Sequence, residues 1–172
     1  ALGLAGCLSG AAAGIALQIA VPGRLLLVEP SWVLPAAQGA LLIALVAANP
    51  RRIDRESMVV RSIAALMLAA LLSLANGWSV ARLAVGIVQG GAGLTAGRLL
   101  VTGGAIWVTN VIVFALWYWE FDRGGPVARA LNTTRRFPDF QFGQMVSPPV
   151  MVPPDWEPAF ADYLYLAFTN AA

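Results

Sequence analysis

Four apolar stretches, each close to the length of a bilayer-crossing helix, constrain this chain more than any motif does. The hydrocarbon core of a bilayer is about 30 Å thick, and a helix needs roughly 20 predominantly apolar residues to cross it. Of the 172 residues, 59% are hydrophobic and only 12% are charged, whereas soluble domains average about a quarter charged residues. The sequence therefore predicts an all-α fold, a polytopic membrane helical bundle with spans at residues 2–21, 31–48, 59–75 and 99–119.

The ends of two spans leave alternatives open. Asn76, Gly77 and Trp78 mark either the end of the third span or a bend before a second apolar piece at 80–88. If that helix continues without a break, Arg82 is the one charge that could lie at depth, and we expect its long side chain to reach the outer interface. The first stretch could be a signal peptide, but it has no positively charged region before it. We therefore expect a retained helix.

All eleven cations are arginines, and their distribution predicts an orientation. By the positive-inside rule, the more arginine-rich connections face the cytoplasm. The N-terminus is then cytoplasmic too, and the expected location is the cytoplasmic (inner) membrane of a bacterium. Eight arginines lie between spans two and three, at the start of span three or after span four, namely Arg51, Arg52, Arg55, Arg61, Arg123, Arg129, Arg135 and Arg136, against Arg24, Arg82 and Arg98 in the alternate connections.

The chain divides into three parts. Residues 1–119 form the predicted four-helix bundle. Residues 120–158 contain seven of the eleven prolines together with several aromatic residues, so this segment cannot be one continuous helix; we expect it along the cytoplasmic face of the bundle or against a partner subunit. Residues 159–172 are apolar but about 20 Å long as a helix, which is too short to cross. They predict a short interfacial or re-entrant helix, or the start of a truncated fifth span.

Glycines at a spacing of four predict close helix packing. Small residues on one face let two helix backbones approach each other in lipid. Packing within the chain is the simpler interpretation, and a homo-oligomer interface is the alternative. The glycines concerned are Gly6, Gly10 and Gly14 in the first span, and Gly86 and Gly90 near the third.

Two groups of polar residues mark the fourth span. Thr102 and Thr109 lie seven residues apart on one helix face, with Asn110 beside them. Such a stripe serves either an interhelical hydrogen-bond network, which we favour, or a transport path. At the end of the span, aromatic residues meet the first charges, as in an interfacial belt. The predicted interfacial anchors are Trp117, Tyr118, Trp119, Glu120, Asp122 and Arg123.

The absence of histidine and the single cysteine, Cys7, exclude several kinds of site. They exclude imidazole catalysis, disulfide scaffolds and haem or chlorophyll held by histidine. No cofactor is evident, and a lipid or carotenoid in the grooves between spans is compatible with the sequence. The arginines are not clustered in the way that nucleic-acid binding requires.

Several motifs in the second half resemble a family of uncharacterised bacterial multi-pass membrane proteins. The motifs are residues 105–114, 116–120, 122–126, 138–140, 144–145, 162–165 and 168–170. The resemblance implies one more helix after Asn170, in a region that looks distantly like the pore of two-transmembrane potassium channels. A pore loop of that kind enters from outside, which conflicts with the arginine distribution, and we give the arginines more weight.

Three function classes follow. The first is an accessory or structural subunit of a larger membrane complex, with membrane lipid and other membrane subunits or further copies as partners. The second is an ion channel or transporter-like protein with a pore element beginning near Asp162. The third is an enzyme, for which no catalytic constellation is visible. The residues of the candidate pore-like segment are Asp162, Tyr163, Thr169 and Asn170.

Overall fold

A computed structural model describes residues 2–20, 40, 55–90, 95–130, 137–147, 151 and 156–171. Within these ranges the chain is all-helical. The predicted second span at 31–48 lies outside the described residues apart from residue 40, and so do Arg135 and Arg136. We label the helices in chain order as α1 (Leu2–Ala20), α2 (Arg55–Val88), α3 (Ala96–Phe121), α4 (Gly125–Ala130), α5 (Gly143–Val146) and α6 (Phe160–Ala171), with a 3₁₀ turn at Asp122–Gly124 between α3 and α4.

Two helical segments in the described ranges are long and apolar enough to cross a membrane, where the sequence predicted four. They are Ser62–Val88 in α2 and Ala96–Gly124, which contains α3. The apolar part described in α1, Leu8–Leu17, is shorter. Two apolar helices support membrane association, and the larger number of crossings remains a prediction.

The third predicted span continues as one helix through Asn76, Gly77 and Trp78. α2 has 34 residues, which corresponds to about 51 Å at 1.5 Å per residue. A glycine inside a helix is unfavourable by only about 1 kcal/mol, and here hydrogen bonds flank it. Asn76 Nδ2 donates to Asn110 Oδ1 at 3.4 Å, and Ser79 Oγ donates to the Ala75 carbonyl at 3.0 Å.

The contacts of α3 give the direction of its neighbours. Trp117 Nε1 donates to Ser73 Oγ at 2.9 Å. Ser73 lies about one turn before Asn76 in α2, whereas Trp117 lies about two turns after Asn110, the partner of Asn76, in α3. α2 therefore runs antiparallel to α3. Gly10 of α1 lies against Phe160, which packs on Trp119 near the end of α3. Gly14 lies beside Ile112, about two turns earlier in α3. α1 therefore also runs antiparallel to α3.

It follows that α1 and α2 are parallel to each other. The chain leaves α1 at Ala20 at one end of the bundle and enters α2 at Arg55 near the other end. α6 also runs antiparallel to α3 and starts at the C-terminal end of α3. It begins at Phe160 beside Trp119, and its last carbonyl, at Ala171, accepts a hydrogen bond of 3.1 Å from Trp107 Nε1.

The buried core lies where α1, α2, α3 and α6 meet. Leu72 of α2 and Tyr163 of α6 are fully buried, and Ala11 of α1 is 1% exposed. Phe142, from the segment between α4 and α6, joins the same cluster. The proline-rich segment thus contributes side chains to the core. In contrast, many large apolar side chains in the C-terminal part of α2 and the first turns of α3 are exposed, including Val85, Val88, Leu100 and Val101.

The small size of Gly10 makes room for Phe160, which gives a testable contrast within α1. A Cβ on Gly10 would lie 2.7 Å from two atoms of the Phe160 ring, whereas a Cβ on Gly14 would meet its nearest neighbour, Leu72, at an ordinary 3.6 Å. We expect Gly10→Ala to lower the free energy of unfolding by about 1–3 kcal/mol, because it overpacks this contact. Gly14→Ala is the control, and chemical unfolding in detergent micelles is the measurement. Equal stability of the two variants would contradict the packing described.

Candidate functional site

The chain reverses direction directly after α3, and glycine makes this reversal possible. Arg123 adopts a left-handed conformation with φ 52° and ψ 30°. Gly124 and Gly125 follow with φ of 80° and 91°. Gly125, with ψ 173°, lies in a region that is essentially open only to glycine, and a Cβ there would approach the Glu120 carbonyl oxygen to 2.9 Å. Pro126 follows in the first turn of α4, where its missing N–H is tolerated.

Asp122 is fully buried at this reversal, and its carboxylate gathers donors from three parts of the chain. Tyr163 of α6 donates its hydroxyl to Oδ2 at 2.5 Å, and the backbone N–H of Asp139 donates to Oδ1 at 3.0 Å. Arg123 Nε donates to Oδ2 at 3.3 Å. Asp139 in turn accepts the backbone N–H of Arg123 at 2.7 Å. We call Asp122, Arg123, Arg129, Asp139 and Tyr163 the Asp122 node.

Arg129 closes the Asp122 node from α4. Its Nη1 donates to the backbone carbonyls of Asp122 at 2.7 Å and Trp119 at 3.1 Å, and lies 3.8 Å from Asp122 Oδ2. One guanidinium therefore donates to the Trp119 carbonyl at the C-terminal end of α3 and to the Asp122 carbonyl in the 3₁₀ turn that follows, and it compensates a buried carboxylate. Its Cζ lies 4.4 Å from the centroid of the Trp119 ring, in cation–π contact.

Aromatic rings surround the buried part of the Asp122 node, Asp122 and Tyr163. Tyr163 packs edge-on against Trp119, Phe140 and Phe142, with centroid distances of 5.4, 6.4 and 5.1 Å. Phe142 also packs against Trp156. In such an apolar setting each hydrogen bond to the carboxylate is stronger than in water. The node holds α3, α4, α6 and the segment around Asp139 together.

Burial raises the pKa of the Tyr163 phenol well above its ordinary value near 10, and the hydrogen bond to Asp122 raises it further. Because the pKa is raised in the folded state, the burial of Tyr163 against Asp122 contributes fully to stability below pH 10, and this contribution is lost as the pH rises beyond 10. In a near-ultraviolet tyrosinate titration, we expect one of the three tyrosines to ionise only as the protein unfolds. Tyr163→Phe should remove that late step and Tyr165→Phe should not. A late step that persists in Tyr163→Phe would contradict the burial described.

The glycines of the predicted packing motifs fall in different settings. Gly10 and Gly14 face neighbouring helices in the core. Gly6 lies in α1 and Gly86 in α2. Gly90 lies just beyond the end of α2 with φ 63°, and a Cβ there would meet nothing within 4 Å. It is thus a turn residue that follows the helix and not a member of a helix-packing face.

The polar stripe of α3 is divided between two roles. Thr109 is 2% exposed and donates to the Ala105 carbonyl of its own helix at 2.8 Å. Asn110 accepts a hydrogen bond across the helix interface from Asn76. Thr102 is also buried.

One residue of the predicted pore segment, Tyr163, meets two of the predicted anchors, Asp122 and Arg123, at the Asp122 node. Of the anchors, Trp119, Glu120 and Asp122 are buried, whereas Trp117 and Tyr118 are half-buried. In α6, Asp162 accepts the backbone N–H of Ala159 at 2.7 Å and so begins the helix. Two further pore-segment residues are exposed near the other end of α6: Thr169, which donates to the Leu166 carbonyl at 2.9 Å, and Asn170, which donates to the Tyr118 hydroxyl at 3.4 Å.

The pairing of Asp122 with Tyr163 is the main feature that sequence reasoning missed. The two residues are 41 positions apart, and no spacing rule connects them. One signal was available, because a carboxylate next to three aromatic residues at the end of an apolar span needs a partner if it is buried. Arg129 and Tyr163 were the nearby residues able to supply one.

In the described ranges, no group of three or more His, Cys, Asp or Glu side chains is placed to hold a metal ion. The chain matches no family model, no curated protein and no solved structure.

Proposed function

We propose that this protein is a multi-pass membrane protein that serves as a structural subunit of a larger membrane complex, with one face of α3 seated against a helix of another subunit. The observation that carries the proposal is an open small-residue face. Gly97 and Gly104 lie seven residues apart, on the same face of α3, and a Cβ on either would meet nothing within 4 Å among the residues that the structure describes. Val101 and Val108 lie between and beyond them on that face, 72% and 38% exposed.

Helix association in lipid depends on close van der Waals contact, because lipid tails are as apolar as the side chains. Glycine exposes backbone that a second helix can approach closely. On α3, two glycines alternate with two valines, so side chains of a partner helix could pack against the glycines, between the larger valine side chains. Membrane association itself rests on α2 and α3, the two helices long and apolar enough to cross.

Four crossings are the topology that we propose for this subunit. The parallel directions of α1 and α2 support it, because a chain that leaves α1 at one end of the bundle must return before it enters α2. The apolar stretch at 31–48 has the length for that crossing. Arg82, about 30 Å along α2 from Ser62, then lies at the far edge of the hydrocarbon core. The N-terminus and the Asp122 node lie on the cytoplasmic side.

The assembly is tested by mild detergent extraction and native gel electrophoresis of the full chain from its own membranes. We expect the wild-type protein to migrate in a complex larger than the monomer, and Gly104→Leu to release it. Gly103→Leu is the matched control, since a Cβ on Gly103 also meets nothing within 4 Å but points about 100° around the helix. Migration of the wild-type protein as a lone monomer would contradict the proposal.

A channel-like function is the second candidate, and the course of α6 favours it. This helix runs back along α3 from the Asp122 node as far as Trp107, about halfway along α3. A half-length helix that re-enters a bundle is an element from which pores are built. It enters, however, from the arginine-rich end. Ion flux into liposomes that contain the purified protein tests this function, and flux no greater than in empty liposomes would exclude it.

A further inference from the structure

Three N–H donors next to Asp122 are buried without an acceptor in the described part of the chain. They are Trp119 Nε1, Arg123 Nη2 and Arg129 Nη2. The side chain of Arg129 is only 8% exposed and that of Arg123 is 16% exposed. Buried donors in native proteins nearly always have a partner, and an orphaned one needs an explanation such as a bound ion or water. Three of them around one carboxylate point to one shared acceptor.

The three donors belong to one compact group. The guanidinium of Arg129 lies over the Trp119 ring, 4.4 Å from its centroid. Arg129 and Arg123 both approach Oδ2 of Asp122, at 3.8 and 3.3 Å. Tyr163 and the backbone of Asp139 already donate to that carboxylate. Both oxygens of Asp122 are thus engaged, and Trp119 Nε1, Arg123 Nη2 and Arg129 Nη2 have no acceptor among the described residues.

The chemistry of the donors selects the acceptor. Arg129 donates from Nη1 to two backbone carbonyls, and Arg123 donates from Nε to Asp122. The Nη2 of each guanidinium is therefore available to a further acceptor. Guanidinium groups match the oxygens of phosphate better than any other common anion. A phosphate offers several oxygens to the two arginines and the indole together, whereas a water molecule accepts few hydrogen bonds.

We infer that the Asp122 node, with Trp119, binds the phosphate group of a phospholipid. The group lies at the charged end of the apolar helix α3, which is the depth of the headgroups in a membrane. The inference rests on the membrane placement proposed above. Free phosphate has the same chemistry, and the experiment separates the two sources.

The indole N–H of Trp119 provides a direct reporter in the purified full chain. In detergent micelles, its nuclear magnetic resonance signal is followed during addition of phosphatidylglycerol, diacylglycerol with the same acyl chains, or inorganic phosphate. We expect phosphatidylglycerol to shift this signal at concentrations about tenfold lower than diacylglycerol requires. A shift with inorganic phosphate as well would keep the phosphate site and remove the lipid specificity. No shift with either phosphate compound, or an equal response to diacylglycerol, would overturn the inference.

A conservative substitution tests the same contact and leaves the packing of the aromatic ring in place. Trp119→Phe retains a ring against Arg129 and Tyr163 but removes the N–H, and we expect about tenfold weaker binding of phosphatidylglycerol, the usual effect of losing one hydrogen bond to a charged group. Trp107→Phe is the matched control, because its indole already donates to Ala171. Unchanged binding in Trp119→Phe would overturn the role of the indole. Membrane placement is tested separately by retention of the protein in membranes after an alkaline wash.

Discussion

Asp122→Asn is expected to lower the free energy of unfolding by about 3–5 kcal/mol, because it leaves two buried guanidinium groups without their carboxylate. Asp122 is fully buried, and its oxygens accept hydrogen bonds from Tyr163, Arg123 and the backbone of Asp139. Asparagine retains the shape but carries no charge, and its amide donors would face other donors. Thermal or chemical unfolding in detergent micelles measures the change.

The control for this substitution is Glu157→Gln, which removes a carboxylate from an exposed position. We expect the control to change stability by no more than about 0.5 kcal/mol, as is usual for surface positions. Two further observations would follow if the Asp122 node holds α6 in place. The near-ultraviolet circular dichroism of the aromatic residues should weaken in Asp122→Asn, and proteolysis before Phe160 should become faster. A variant as stable as the wild-type protein would show that the carboxylate is not the centre of this region.

Gly125→Ala is the second substitution with a large expected effect, a loss of about 3 kcal/mol. With φ 91° and ψ 173°, Gly125 has a backbone conformation that costs an alanine about 1–3 kcal/mol. The added Cβ would also lie 2.9 Å from the Glu120 carbonyl oxygen, a backbone atom that cannot easily move. Because this residue turns the chain from α3 into α4, the substitution should also displace Arg129 from Asp122.

Gly77→Ala is the matched control for Gly125→Ala. Gly77 lies inside α2, and a Cβ there would meet nothing within 4 Å. We expect this control to be neutral or to stabilise the helix by up to about 1 kcal/mol, since alanine loses less conformational entropy than glycine. The two alanine variants should therefore shift the unfolding midpoint in opposite directions. Similar shifts in both would contradict the strained turn.

The helices were more predictable than their contacts. Residues 99–119 were predicted as a span from their apolar length and from the aromatic residues and charges at their end, and α3 extends over Ala96–Phe121. The third stretch was ambiguous at Asn76 and Gly77 because propensity and tertiary contacts act in opposite directions there. The hydrogen bond from Asn76 to Asn110 depends on how two helices are rotated against each other. A single sequence does not carry that information.

The candidate site was predicted in its parts and not in its assembly. Asp122 and Arg123 were predicted as interfacial anchors, because aromatic residues meet the first charges at the end of the fourth span. The burial of Asp122 does not follow, since charges beside an aromatic belt are usually solvated anchors. Burial becomes possible only when Tyr163 and the backbone of Asp139 arrive from distant parts of the chain.

In the proposed topology, α2 and α3 cross the membrane and the Asp122 node lies on the cytoplasmic side. Single cysteines test it after Cys7, the one native cysteine, is replaced by serine. Gln89→Cys lies just past the end of α2, and Gln144→Cys lies in α5; both positions are exposed. With a membrane-impermeant maleimide, we expect Gln89→Cys to be labelled on intact cells and Gln144→Cys only after the membrane is permeabilised. Labelling of both positions on intact cells, or of Gln144→Cys alone, would contradict this membrane topology.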